Sequence, residues 1–148
     1  MGRNQNILTG NAITVGAAAA TSAGTDVTGA TVDMSGYSNF VAHVSIATKN
    51  AANYIYVEGD DASGMGTAVT LAGSGVVALV NGDVVMIEVV KPIHRYIRAV
   101  IDRGGANTAT GELTYIRGGK ASTSSDSLNT VAGVSLAEII ASPIAGTA

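Results

Sequence analysis

Hydrophobic and polar residues alternate with a period of two along most of this chain. Phe40, Ala42, Val44 and Ile46 interleave with Val41, His43, Ser45 and Ala47, and Ile55 and Val57 interleave with Tyr54, Tyr56 and Glu58. Successive side chains of a strand point to opposite faces, so the alternation predicts pleated strands that each bury one face. Strands are predicted near residues 12–16, 27–33, 39–48, 54–58, 67–71, 76–80, 84–90, 93–102 and 112–117. No stretch between residues 12 and 117 has a helical period, which excludes a parallel α/β sheet with crossover helices.

The punctuation between these segments agrees. Asn81-Gly82-Asp83 is predicted to join 76–80 to 84–90 as a hairpin, because Asn-Gly readily takes the positive φ of a tight turn. Asp60 and Asp61 in GDDASGMG lack the alternating spacing of a calcium loop and read as turn residues with Asx hydrogen bonds. A hairpin from Ile93 to Arg117 is expected to put Ile97, Ala99, Ile101, Leu113 and Tyr115 on the core face. His94, Tyr96, Arg98, Glu112 and Thr114 then share the other face. The expected fold is all-β, an antiparallel β-sandwich of jelly-roll or related topology with extended terminal arms.

Three regions follow from the pattern: an N-terminal arm over 1–25 with one strand at Ala12–Gly16, a sandwich over 26–117, and a C-terminal arm over 118–148. The C-terminal arm opens with the polar run ASTSSDS and then offers Val131, Val134, Leu136, Ile139, Ile140 and Ile144. Ser135 and Glu138 have capping-box spacing, so a short helix is predicted over Leu136–Ala141, ahead of Pro143. Apolar side chains beyond a flexible linker need a surface to cover them, and a neighbouring subunit is the expected one.

Composition changes the picture from a free domain to a component of something larger. Only 13% of residues are charged, about half the typical share, and there are 19 glycines. With a mean hydropathy of +0.34, such a surface suits a protein covered by neighbours. The absence of cysteine excludes a disulfide framework, a thiolate metal site and a cysteine nucleophile. The opening MGRNQNILTG lacks an apolar export core and no apolar run approaches the ~20 residues of a membrane helix, so neither export nor membrane insertion is expected.

Candidate chemistry is sparse. The two histidines, His43 and His94, fall on different strands, and no metal-binding spacing, nucleophile elbow or nucleotide-binding loop is present. A non-enzymatic protein without cofactor, metal or catalytic residue is expected. The net charge of -3 is uneven: residues 91–120 hold six basic and two acidic groups, while 1–90 hold two basic and seven acidic. Lys91, Arg95, Arg98 and Arg103 are therefore candidate docking residues for an acidic protein surface. Nucleic acid is disfavoured, since only Tyr96 and Tyr115 lie among these cations as stacking platforms.

Three segments carry a family resemblance: Asp26 to Phe40 (DVTGATVDMSGYSNF), Val57 to Met65 (VEGDDASGM) and Lys91 to Arg98 (KPIHRYIR). They resemble segments of small virion proteins of tailed bacteriophages, capsid decoration or cement proteins in particular, over residues 26–117. That resemblance implies a compact β-fold, commonly a trimer, seated on the capsid exterior. There it would clamp adjacent copies of the major capsid protein after synthesis in the host cytoplasm. It transfers no individual functional residue. Other virion roles, such as a head-tail connector, tail-tube or head-fibre protein, suit the same composition. A carbohydrate-binding or adhesive module is the rival from a different class, weakened by the lack of Trp and an aromatic content of 4%.

Overall fold

The structure, a computed structural model, describes residues 11–78 and 80–118 and the main chain of residues 136–141. Every element among them is a strand. In chain order these are β1 (Asn11–Ala17), β2 (Ala20–Ala23), β3 (Val27–Thr28), β4 (Val32–Asp33), β5 (Asn39–Thr48) and β6 (Tyr54–Asp60). The second half adds β7 (Val69–Thr70), β8 (Asp83–Val90), β9 (Tyr96–Asp102), β10 (Thr108–Thr110), β11 (Leu113–Gly118) and β12 (Leu136–Ala141).

The strands form two sheets. The seven-stranded sheet is centred on β5, which pairs with β11 and β10 along one side and with β8 along the other, while β1, β2 and β12 lie outside these. The five-stranded sheet runs β3-β9-β6-β7, with β4 beside β3 on β9. The main path of the chain visits β1, β3, β5, β6, β7, β8, β9 and β11, and the sheets order them as β1-β11-β5-β8 and β3-β9-β6-β7. Apart from β6 and β7, which are neighbours in one sheet, successive strands of this path alternate between the sheets, as in a β-sandwich.

Strand alternation sorts the side chains as the sequence pattern expects. Phe40, Val44, Ile46, Val85, Ile87 and Val89 of one sheet face Ile55, Val57, Ile97 and Ile101 of the other, all essentially excluded from solvent. Tyr115 lies at the centre, its ring 4.9 Å from that of Phe40. Gly16 makes room for it, because a Cβ there would sit 2.6 Å from the Tyr115 ring.

Four expectations change. Residues 93–102 and 112–117 do not form a hairpin: β9 belongs to the five-stranded sheet and β11 to the seven-stranded one, and Ile97, Ala99, Ile101, Leu113 and Tyr115 meet across the core instead. The described residues of 76–80 form no strand paired with β8, and Val76 makes an isolated bridge to Ile55 in the other sheet. The turn at Gly82 is present, with φ 87°. Much of the N-terminal arm is part of the sandwich, because β1 pairs with β11 and β2 with β10. Leu136–Ala141 is a strand, not a helix, and it lies parallel to β8 of the same chain, Leu136 opposite Val85 through Ala141 opposite Val90. An open edge of eight residues satisfies the main chain of an apolar segment more fully than one or two isolated helical turns could.

Candidate interaction surface

The four cations singled out from the sequence do not converge. Arg103 is only 3% exposed. Its guanidinium donates to the Thr21 carbonyl at 3.1 Å and its backbone N–H to Asp26 at 3.0 Å, so it ties the turn after β9 to β2 and to the segment that follows it. Arg98 projects from the five-stranded sheet directly opposite Glu58 and donates to its carboxylate at 3.0 Å. Arg95, in the loop before β9, donates through Nε and a terminal nitrogen to Asp33, the latter at 2.9 Å, and lies over the Tyr96 ring. The Arg95 fork holds the Asp33 carboxyl below the usual carboxylate range. Lys91 is exposed at the end of β8 with a positive φ of 52°. Burial removes Arg103 from any docking role, and Arg98 is engaged by Glu58 on the outer face of the five-stranded sheet.

The arm residues divide in the same way. Leu136, Ile139 and Ile140 fall within β12, on the edge of the chain's own sheet. Val131, Val134 and Ile144 lie outside the described residues.

The outer faces of the two sheets differ in character. On the five-stranded sheet, Tyr54, Tyr56 and Glu58 of β6 stand beside Asp102, Val100 and Arg98 of β9, with Tyr96 next along. The Tyr54 and Tyr56 rings are 5.4 Å apart, and burial is the first cause that raises both phenols above their ordinary pKa. This is a charged and aromatic face suited to water.

The outer face of the seven-stranded sheet is almost free of charge. One row across it reads Ile13, Ile116, Val41 and Glu88, and the next reads Val15, Thr114, His43 and Met86. Ile13 and Val15 are 52% and 53% exposed. No Lys or Arg occupies an outward position of β1, β11, β5 or β8. The one carboxylate, Glu88, is nearly buried and accepts a hydrogen bond from the Asn39 side chain at 3.0 Å. Burial pushes its pKa up, and the Asn39 bond opposes that shift. An antiparallel sheet with one face on the core ordinarily turns polar residues to solvent, whereas here Ile13, Val15, Ile116, Val41, Val84 and Met86 share the outward positions with Thr114, His43 and Ser45. Sequence reading missed the face because its residues are scattered from Ile13 to Ile116. The available signal was Val41, Val84 and Met86 at the outward positions of strands whose inward positions were already apolar.

At one end of the sandwich an open cleft of 310 Å³ is lined by Met34, Tyr37, Asp61, Ile93, His94 and Arg95, among others. His94 Nδ1 lies 3.3 Å from Asp61. Asp60, beside it, accepts backbone N–H bonds from Ala62 and Thr67, which hold its carboxyl below the usual range. The GDDASG segment is therefore an Asx-stabilised turn. Among the described residues no group of three His, Cys, Asp or Glu side chains converges as metal ligands would. His43 and His94 belong to opposite regions of the molecule, one on the outer face of β5 and one in the cleft.

Comparison with known proteins finds no matching family model, no similar curated protein and no similar solved structure.

Proposed function

We propose that this chain is a non-enzymatic structural subunit that docks on a protein lattice through the largely apolar outer face of its seven-stranded sheet. The specific reading is a capsid decoration protein of a tailed bacteriophage. The observation that supports docking is the pair of rows Ile13-Ile116-Val41 and Val15-Thr114-His43-Met86, a largely apolar face without Lys or Arg. Apolar faces of this kind on small domains mark protein contacts, and repetition over many sites converts weak single contacts into firm retention. The fold alone is neutral on function, and the phage assignment rests on the resemblance of residues 26–117. Docking through Lys91 and Arg95 would be a rim contribution that steers approach.

The experiment is to isolate the particle containing the protein and count copies, then repeat with Met86→Lys. Hundreds of copies per particle, lost on this substitution while the isolated protein stays folded, are the expected result. About a dozen copies would assign a connector role instead, and unchanged attachment of Met86→Lys would exclude this face.

A second reading, a glycan-binding module, draws on the adjacent rings of Tyr54 and Tyr56 on the five-stranded sheet. Binding to a polysaccharide that Tyr56→Ala abolishes would favour it over lattice docking.

A further inference from the structure

We infer that Glu88, with Asn39 beside it, is the polar anchor of the docking face and receives a lysine ammonium of the partner protein. The inference rests on the docking reading above and adds the chemistry that the partner presents at one point of the face.

Glu88 is the one carboxylate among the outward positions of β1, β11, β5 and β8, where no Lys or Arg stands. The register surrounds it with apolar residues: Val41 directly across on β5, Met86 and Val90 along β8, and Ile139 opposite it on β12. Glu88 is only 8% exposed and Asn39 only 6%. Burying a carboxylate among such neighbours is costly unless a cation or several donors compensate it.

That compensation is incomplete among the described residues. The Asn39 side chain donates to Glu88 Oε1 at 3.0 Å and leaves Oε2 without a hydrogen bond. Asn39 Oδ1 is itself buried without a partner. Two acceptors, one of them charged, thus flank a single hydrogen bond with no donor to satisfy them. In the free subunit the ionised carboxylate opposes folding, as the upward push of burial on its pKa reflects. A polar group set against the stability of its own subunit points to function rather than packing.

Only a donor answers two acceptors, and only a cation answers the charge. Of the two cationic side chains, lysine fits. An arginine fork matches both oxygens of a carboxylate at once, but Asn39 already holds Oε1. An ammonium is a compact charge with rotatable donors, enough for Glu88 Oε2 and Asn39 Oδ1 together. With the partner seated, Val41 and Met86 help to exclude water from the pair, which strengthens a charge-assisted bond. The apolar rows supply area, and the anchor supplies selectivity, because a partner without the lysine leaves Glu88 buried and unpaired.

The test uses Glu88→Gln, which keeps the side chain's shape and removes its charge, with binding measured well below the melting points of both proteins. On particles stripped of the protein, Glu88→Gln should rebind roughly tenfold or more weakly than the parent while melting no lower. Acetylating the lysines of the particle removes the ammonium, and should bring the parent down to the level of Glu88→Gln, the mark of a direct interaction between the two groups. A Glu88→Gln that binds as tightly as the parent while Met86→Lys detaches would overturn the anchor and leave the docking face standing. A difference that survives acetylation would overturn the assignment to lysine. Retained binding by both Glu88→Gln and Met86→Lys would overturn the face and the anchor together.

Discussion

The hydroxyl of Tyr115 in β11 accepts a hydrogen bond from the backbone N–H of Ala99 in β9, 2.9 Å away, and so links the two sheets through the core. The bond exists because β9 is paired in two separate places, with β3 at Val100 and Ile101 and with β4 at Tyr96 and Ile97. Between them the N–H of Ala99 has no ladder partner on that side, and a buried donor without a partner is costly. Gly16 and Gly29 flank the Tyr115 ring where any Cβ would collide with it.

Tyr115→Phe should therefore destabilise the protein by about 1–3 kcal/mol, the cost of leaving a buried N–H unsatisfied, with little loss of packing. Chemical denaturation of the two proteins checks this. The same residue sets an alkaline limit, since burial pushes its phenol up to about 12 from 10.0. A group whose folded pKa is raised contributes stability below its unfolded pKa and loses it as pH rises through the folded value. Stability should fall between about pH 10 and 12. Tyr115→Phe should flatten that fall without abolishing it, because Tyr54 and Tyr56 are also raised. An equally steep fall in Tyr115→Phe would reject Tyr115 as a contributor.

Glu88 makes the opposite kind of demand. Its raised pKa means that the ionised form at neutral pH opposes folding, and that its contribution improves as pH falls toward the unfolded value of 4.5. Glu88→Gln should be more stable than the parent at pH 7, by about 0.5–1.5 kcal/mol, and the difference should vanish in acid. The new amide keeps the bond from Asn39 and offers a donor to Asn39 Oδ1, which is buried without a partner. Thermal melts at the two pH values measure the effect; a less stable Glu88→Gln at pH 7 would contradict it.

Arg98→Glu tests where the basic segment acts. Arg98 and Glu58 are directly opposed on neighbouring strands, with side chains only 24% and 13% exposed. The substitution sets like charges face to face and removes a charged hydrogen bond, so a loss of about 1.5–3 kcal/mol of stability is expected. Attachment to a particle, measured below the shifted melting point, should be retained. Lost attachment with unchanged stability would restore Arg98 as a docking residue.

Truncation after Gly118 removes β12 and opens the β8 edge. The described core reaches no further along the chain than Tyr115, so the sandwich should remain folded. Amide exchange across Val84–Val90 should accelerate and the truncated protein should self-associate through the bared edge. Unaltered exchange in β8 would show that β12 contributes nothing to that edge.

The amino-acid sequence by itself determined that this chain is made of strands and which way most of them face. Phe40 to Ile46, Ile55 and Val57, Ile97 to Ile101, and Leu113 with Tyr115 were legible as core positions, because a period of two is a local property that burial on one side imposes. Turns at Gly82 and at Asp60 were legible for a similarly local reason, the conformational freedom of glycine and the side-chain acceptor of aspartate. Partners were not. The main-chain ladder is the same for any sequence, so nothing local says that β9 and β11 lie in opposite sheets, or that Leu136–Ala141 joins β8 as a strand. The charge cluster at 91–103 dissolved for the same reason: the fold enclosed Arg103 and paired Arg98 with Glu58, a residue forty positions away. The candidate surface arose by the converse route. Ile13, Ile116, Val41 and Met86 are unremarkable where each stands in the chain, and only the register of β1, β11, β5 and β8 sets them side by side on one uncharged face.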